Sequence, residues 1–290
     1  MKPPTARALA LALLVSTLGA VMAAAAEDAA KTKTAVGPDA VAADTGPKAY
    51  DAVKSLIEAN KYPEAEKAAR ALVAARTKAL GAEDPETLDA RGLLAVALMC
   101  VQKFAESEQE YRDVLAVYER VLGPDNPKTM DIEVRLIGML EFSETPEEAV
   151  RRSRSLVARA TRLYGPEDKQ TLSLRKMLAF KLAETDAAAA EQEYRALRPL
   201  CIKVFGPEDK ETQDTRWRLA HALNDQDKLP EAEQEYRELL ALGLRLYGQE
   251  GEDTIFYQAS LIDLLRKQDK HAEAVELLRR QIPAQIKVQG

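Results

Sequence analysis

Histidine, cysteine and tryptophan are scarce in this 290-residue chain, which has two histidines, two cysteines and one tryptophan. His221 and His271 lack the closely spaced Cys, His or carboxylate neighbours that are typical of a zinc site. Neither cysteine has a histidine at a spacing that indicates a thiol nucleophile, and the chain lacks a Gly-rich phosphate loop and a nucleophile elbow. The sequence therefore predicts a non-enzymatic protein without a cofactor or metal.

An excess of positive charge is also missing. The chain has 41 lysines and arginines against 47 acidic residues, a formal net charge of −6, and the two signs are interspersed. Because proteins bind nucleic acids chiefly through basic surfaces, this balance argues against a nucleic-acid partner. No long apolar run follows residue 26, so the sequence predicts no stable membrane span after that point.

The amino terminus has the three parts of a secretory signal peptide. Met1–Arg7 is basic, Ala8–Ala23 is apolar, and three alanines precede Glu27. This pattern predicts cleavage near Ala26 and a periplasmic or secreted protein. An uncleaved membrane anchor is the alternative, although the apolar run is shorter than the ~20 residues of a typical span. Residues 27–46 lack hydrophobic periodicity and are predicted to form a disordered linker.

One motif dominates the rest of the sequence: Gly-Pro-Glu-Asp-x-x-Thr, with variations, recurs at spacings of 42, 42, 41 and 42 residues. Its copies begin at Gly81, Gly123, Gly165, Gly206 and Gly248. A fixed period of this length predicts one supersecondary unit repeated along the chain, with each copy burying its apolar face on its neighbours. Function is then expected on a stacked surface.

The residues after each motif threonine predict an amphipathic helix, which we name helix A. The threonines are Thr87, Thr129, Thr171, Thr212 and Thr254. Leucine occupies positions +7 and +11 from the threonine in every copy: Leu94, Leu98, Leu136, Leu140, Leu178, Leu182, Leu219, Leu223, Leu261 and Leu265. Positions four residues apart share one helix face, so these leucines form the predicted buried stripe. Good N-cap residues precede all five of these helices: Asp84, Asn126, Asp168, Asp209 and Gly251.

A second predicted helix, helix B, runs from a short turn to the next motif glycine. A cation stands three residues before each glycine, which suits a helix C-terminus, and glycine suits the left-handed residue that ends the helix. Pro199 and Pro283 fall inside helix B, where each is expected to kink the helix or remove one backbone hydrogen bond. The 41-residue copy is one residue shorter between Leu182 and Ala190, which predicts a shortened A–B turn.

These residues resemble the tetratricopeptide repeat, in the 42-residue variety of kinesin light chains and bacterial relatives. The resemblance is carried by Leu122–Thr129, Thr212–Ala220 and Lys228–Glu233, and it extends over residues 47–290. It implies an all-α fold, a right-handed α-solenoid of about six antiparallel helix hairpins, whose A helices line a concave groove for a peptide or partner helix. The Asn-Asn pair that precedes Leu-Ala in kinesin light chains is absent here, so the partner type does not follow from the resemblance.

The predicted domain organisation has three parts: a signal peptide at 1–26, a linker at 27–46 and a repeat domain at 47–290. The repeats are predicted near residues 47–80, 81–122, 123–164, 165–205, 206–247 and 248–290. The first copy is degenerate, with Ala52 and Leu56 at the two leucine positions, and is expected to act as a cap.

The partner-binding face of helix A is predicted from helical angle. Positions +2, +5, +9, +12 and +13 point away from the leucine stripe. The candidate contacts at these positions are Phe142, Lys176, Phe180, Trp217, His221, Phe256, Arg266 and Lys267. Exposed aromatics beside cations are typical of interface hot spots, so Trp217 is the leading predicted contact, flanked by Phe180 and Lys176. The alternative for Trp217 and Phe180 is that they fill the seam between adjacent A helices.

Three arginines share position +4: Arg91, Arg175 and Arg216. We expect their stems to pack between helices and their guanidinium groups to pair with acids of neighbouring repeats, such as Glu83, Glu167 or Glu208. A ladder that binds acidic groups of a partner is the alternative. Cys100 and Cys201 are five predicted helix steps apart, so both are expected to be free thiols.

The predicted function is an exported scaffold that binds a protein or peptide in the concave groove. The alternative is an accessory or regulatory subunit of a cell-envelope enzyme or transport complex, engaged through an end face of the solenoid. Ile282, Ile286 and Val288 at the C-terminal edge offer a possible self-association surface, for which end fraying is the alternative. An enzyme would need convergent acid, base or metal-binding groups, which this sequence places far apart.

Overall fold

The computed structural model describes residues 46–142 and 145–279, and every regular element in this part of the chain is helical. The α-helices are α1 Pro47–Glu58, α2 Tyr62–Leu80, α3 Pro85–Cys100, α4 Phe104–Val121, α5 Pro127–Met139, α6 Pro146–Tyr164, α7 Lys169–Thr185, α8 Ala187–Phe205, α9 Lys210–Asp225, α10 Leu229–Tyr247 and α11 Glu252–Lys267. Residues 271–279 are also helical. The predicted all-α fold is therefore confirmed. Residues 1–45 and 280–290, with the predicted signal peptide, Pro283 and the C-terminal edge, lie outside the described residues.

Helix starts follow the predicted capping pattern. The Asp84 carboxylate accepts a hydrogen bond from the N–H of Glu86 at 2.8 Å, which satisfies a donor that the first turn of α3 leaves free. Asn126, Asp168 and Asp209 make the equivalent bond at the starts of α5, α7 and α9, at 2.8–2.9 Å. Gly251 takes this position before α11 because a Cβ there would lie 2.4 Å from the Cβ of Tyr247.

Helix ends follow the predicted glycine pattern. All five motif glycines have positive φ, between 72° and 101°, a region that glycine adopts without steric cost. The A–B turns also contain left-handed residues, at Asn60, Gln102, Asp227 and Asp269. In the 41-residue copy, Asp186 alone connects α7 to α8 and caps α8 by accepting from the N–H of Ala189 at 3.0 Å. The predicted shortening of this turn is confirmed. Helix α8 continues through Pro199, which has no N–H to donate.

The leucine stripe forms the core. All ten leucines at +7 and +11 are buried, none more than 8% exposed. The described helices fall into two compact units, with the division after Ala149 inside α6. In the first unit each of α1 to α5 packs against its neighbours in the chain, and in the second unit the same holds for α7 to α11. No helix among the described residues is long and apolar enough to cross a membrane.

An ion-pair bridge links consecutive B helices in both units. Arg70 contacts Glu66 in its own helix at 3.0 Å and Glu106 in the next B helix at 2.5 Å. Arg112, Arg195 and Arg237 make the same two contacts, each with a glutamate four residues before and another 36 residues after. The bridge therefore repeats with the helices, although its exposure limits its contribution to stability.

Candidate partner-binding surface

Seven of the eight predicted contacts lie on the A helices of the second unit. Lys176 and Phe180 are on α7, Trp217 and His221 on α9, and Phe256, Arg266 and Lys267 on α11. Side chains join these helices directly, because Lys176 on α7 binds acids on α9 and Trp217 on α9 binds Ser260 on α11. The surface is therefore built from three helices that the repeat places side by side.

Trp217 is half-buried and lies in the seam between α9 and α11, as one of the two alternatives predicted. Its indole packs against the buried core of the second unit, and its Nε1–H donates to Ser260 Oγ at 3.1 Å. Ser260 Oγ in turn donates to the Phe256 carbonyl oxygen at 3.1 Å. The indole is therefore held in one orientation while part of its surface stays open.

Two exposed rings lie against Trp217. The Phe256 ring centroid is 5.0 Å from that of Trp217 and the His221 centroid is 5.4 Å away, both tilted, which are favourable separations for aromatic pairs. Phe256 is 47% exposed, and His221 Nδ1 lies 3.0 Å from Asp225 Oδ2. We name these three residues the Trp–His–Phe cluster. It places two predicted contacts in van der Waals reach of the third.

Lys176 and Phe180 are engaged by neighbouring side chains on α9. Lys176 Nζ contacts Glu211 at 2.5 Å and Asp214 at 2.8 Å. Burial alone would raise the pKa of Asp214, but the charges of Arg218 and Lys176 lower it. The Phe180 ring lies 5.1 Å from the Arg218 guanidinium and 5.2 Å from Lys181 Nζ, distances typical of cation–π contacts. Both residues therefore have intramolecular partners.

Arg266 and Lys267 lie at the end of α11. Lys267 Nζ donates to the Asn224 carbonyl oxygen at 2.7 Å and contacts Asp227 at 2.7 Å, tying α11 to the turn after α9. Arg266 is 66% exposed, with Asp263 at 3.7 Å. Lys267 therefore helps to hold the helices together, and Arg266 projects into solvent.

Phe142 belongs to the first unit and is not grouped with the other candidates. Helix α5 ends at Met139 and tightens into a 3₁₀ turn over Leu140–Phe142, so the helical angle assumed for position +13 does not apply. The Phe142 ring stacks on Phe104, with centroids 4.4 Å apart. One face of the ring is therefore already covered.

A polar triad recurs where an A helix meets the preceding B helix. Arg135 Nε donates to Asp131 at 2.9 Å and the guanidinium also contacts the Tyr111 hydroxyl, whose burial raises its pKa to about 12. In the second unit, Arg218 binds Asp214 at 3.0 and 3.1 Å and contacts the Tyr194 hydroxyl. The acid is at +2, the arginine at +6, and the tyrosine 12 residues before the motif glycine.

The last copy keeps the tyrosine of this triad but not its partners. Tyr236 stands 12 residues before Gly248 and is buried, whereas +2 is Phe256 and +6 is Ser260. Of the three copies that have the tyrosine, this one alone lacks the arginine and the acid. Departure from a locally consistent pattern is expected at functional sites. Ser260, which orients Trp217, was missed in the sequence, but aligning positions +2 and +6 across copies would have indicated it.

The predicted partners of the arginines at +4 are wrong. Arg91 binds Glu110 and Asp113 at 2.7 Å, and Arg175 binds Glu193 at 2.5 Å. Arg216 likewise binds Glu235 and Glu238. All these acids are in helix B of the same repeat, which stands beside helix A along its length. Glu83, Glu167 and Glu208 instead contact the cations at the ends of helix B, Arg120, Lys203 and Arg245.

Cys100 and Cys201 are free thiols. Burial raises the pKa of both, which disfavours the reactive thiolate. Within residues 46–142 and 145–279, no group of three or more His, Cys, Asp or Glu side chains could hold a metal ion.

Residues 87–128 match the family model of the tetratricopeptide repeat. This segment is one 42-residue period, from one motif threonine to the residue before the next. The protein has a tetratricopeptide-repeat fold. The resemblance that was drawn from the sequence is confirmed.

Solved structures have the same fold. A Podosopora anserina protein of the kinesin light chain type, with nearly identical TPR-like repeats, matches at a TM-score of 0.64 and 19% identity, covering 68% of this chain and 94% of that one. BtubC (BKLC) from P. vanneervenii matches at a TM-score of 0.64 and 14% identity, and the match covers 78% of this chain and 91% of that one. A Rap protein complexed with Competence and Sporulation Factor matches at a TM-score of 0.51 and 11% identity, and the match covers 82% of this chain and 76% of that one. Among curated protein sequences, none matches this chain significantly.

Proposed function

We propose that this protein is an exported, non-enzymatic scaffold that binds a segment of a protein or peptide partner on the A-helix face of α7, α9 and α11. The observation that carries the proposal is the Trp–His–Phe cluster, which exposes aromatic surface beside positions +2 and +6 of α11, where α5 and α9 have the acid and arginine of a structural polar triad. The tetratricopeptide-repeat fold is typical of protein-interaction scaffolds, and the Rap protein of similar fold has been solved with a bound factor.

The geometry of the cluster suits an interface anchor. Because Trp217 is hydrogen-bonded to Ser260, its orientation is set before a partner arrives, which lowers the entropy lost on binding. Lys176, Phe180, Arg266 and Lys267 lie on the same three helices as this aromatic centre. An aromatic centre with a polar rim is the usual anatomy of a protein interface.

The proposal is tested by giving the last repeat the residues of the polar triad. We expect the double substitution Phe256→Asp with Ser260→Arg to remove partner capture from a native extract, because it removes an exposed ring and the hydrogen-bond partner of Trp217. The thermal unfolding midpoint should stay near that of the wild type, because Tyr236 is already in place to complete the triad. Capture is measured by quantitative mass spectrometry of the bound proteins.

The matched control is Leu244→Asp, which changes an exposed apolar residue on helix B of the same unit. This variant should capture the same partner as the wild type. Equal capture by the double variant would overturn the assignment of the binding face. If capture were instead lost on truncation of the last helices, the end-face subunit would be the better account.

Export is tested on the protein recovered from its native cells. The proposal expects an amino terminus at Glu27 and recovery from the periplasm or the medium, because the segment before it has the composition of a signal peptide. Intact mass and amino-terminal sequencing measure this directly. A recovered chain that still begins at Met1 would contradict cleavage.

A further inference from the structure

The Trp–His–Phe cluster lacks the cations that cover other rings in this protein. Phe180 has Arg218 and Lys181 at about 5 Å, Tyr50 has Arg76 and Phe205 has Lys169. Among the described residues, no cation lies over Trp217 or Phe256. The negative face of an exposed aromatic ring attracts a cation, so the cluster has an unused capacity for such a contact.

A carboxylate beside the cluster also lacks a permanently charged partner. Asp225 is 54% exposed, and within the described part of the chain its only ion-pair contact is with His221. Burial raises the pKa of Tyr236, and the charge of Asp225 also helps to raise it. By contrast, Asp214 and Asp227 are each paired with a lysine or an arginine. Asp225 therefore adds local negative charge one side chain away from the Trp217 ring.

The overall charge of the chain also favours a positively charged partner segment. With 47 acidic residues against 41 lysines and arginines, the protein attracts a basic segment at long range and repels an acidic one. Aromatic surface, an exposed carboxylate without a lysine or arginine partner and a negative chain are complementary to one side-chain chemistry, which is a cation with an apolar or planar surface.

We propose that the Trp–His–Phe cluster binds an arginine side chain of the partner, with the guanidinium stacked on the aromatic surface and its charge balanced by Asp225. This rests on the proposed function and names the chemistry of the partner segment. Arginine fits better than lysine because its planar guanidinium stacks on rings and is more weakly hydrated than an ammonium group. The partner is accordingly a protein segment with an exposed arginine between apolar residues.

Trp217 is the only tryptophan of the chain, so its fluorescence reports on this site alone. The probes are the peptides acetyl-Leu-Arg-Leu-amide, the same peptide with citrulline, and the same peptide with glutamate, each titrated into the full protein. Citrulline keeps the shape and planarity of arginine without its charge. We expect a saturable change with arginine, half-saturation at about tenfold higher concentration with citrulline, and no change with glutamate.

Asp225→Asn provides the second measurement. This substitution should lower the affinity for the arginine peptide several-fold and leave the affinity for the citrulline peptide unchanged, because it removes only a charge. Asp269→Asn is the matched control, since Asp269 is another exposed aspartate that contacts a histidine, His271, at 3.6 Å. The control should bind the arginine peptide as the wild type does.

Equal affinity for the arginine and citrulline peptides would overturn the inference, as would preference for glutamate or no response to any peptide. None of these results would affect the proposed function if Phe256→Asp with Ser260→Arg still abolished capture of the native partner. Retained capture by that double variant would instead remove the proposed function together with the inference.

Discussion

Helices α5 and α11 occupy the same register in their repeats, one in each unit, but they use two positions differently. In both helices the leucines at +7 and +11 are buried. At +2 and +6, α5 has Asp131 and Arg135, which belong to a polar triad, whereas α11 has Phe256 and Ser260 beside Trp217. The leucine stripe therefore defines the repeat, and the +2 and +6 positions can be exchanged between structural support and an exposed surface.

The largest expected loss of stability comes from the buried leucine stripe, which α5 and α11 share. Leu136→Ala and Leu261→Ala should each lower the free energy of unfolding by about 3 kcal/mol, because both leucines are fully buried and their truncation leaves a cavity. Urea unfolding followed by circular dichroism measures the change. Leu244→Ala, at a 46% exposed position, is the control and should cost less than about 0.5 kcal/mol. A small effect at Leu261 alone would mean that the last A helix is not part of the same core.

The sequence predicted most of the fold because the repeat encodes it locally. The leucine period, the N-caps and the motif glycines each specify a backbone or packing requirement that does not depend on distant residues. The one-residue deletion in the 41-residue copy was likewise visible as a shorter turn. Long charged side chains were harder to predict, because register fixes the face from which Arg91 projects but not which of several acids within its reach it will bind.

The candidate surface was predictable in part. Helical angle alone placed Trp217, His221 and Phe256 on one face, and the structure places their rings in contact. Helical angle could not indicate that Lys176 and Phe180 already have partners on α9, because those contacts depend on the separation of two helices. Nor did the same angle hold for Phe142, where the helix tightens before that residue.

The second prediction addresses the positions that differ. Arg135→Met should cost about 2 kcal/mol, because it leaves Asp131 and the buried Tyr111 hydroxyl without their hydrogen-bond partner. Ser260→Ala, at the same position of α11, should cost less than about 1 kcal/mol, because it removes one hydrogen bond to a half-buried indole. Both values are measured by urea unfolding. Equal losses would mean that Ser260 is as structural as Arg135, which would weaken the contrast between the helices.

A third prediction compares the two helix starts. Asn126→Ala should cost about 1 kcal/mol by removing the N-cap bond of α5. Gly251 makes no side-chain cap, yet Gly251→Ala should also destabilise, because the new Cβ would collide with Tyr247. The measurement is again the urea midpoint, with Lys210→Ala, at an 80% exposed side chain, as the control. Stabilisation by Gly251→Ala would contradict the close approach of α10 and α11.

The smallest effects are expected where the units are alike, at the bridges between B helices. Arg70→Gln and Arg237→Gln should each cost about 0.5 kcal/mol, because both arginines are half exposed and their ion pairs are screened by water. The two losses should be equal and should shrink in 1 M salt. Unequal losses would mean that the bridge contributes differently to the stability of the two units.

These bridges also make a signed prediction about pH. Burial alone would raise the pKa of Glu233, but Lys270 and Arg237 lower it below its ordinary value. Because the folded-state pKa is below the unfolded value of about 4.3, the bridge stabilises fully above that pH and loses its contribution as the pH falls further. The difference between wild type and Arg237→Gln should therefore be constant from pH 7 to about 5 and shrink below about 4. If the stability difference between wild type and Arg237→Gln stayed constant at low pH, the loss would come from packing of the arginine stem and not from its ion pairs. The bridge in both units would then be an apolar contact.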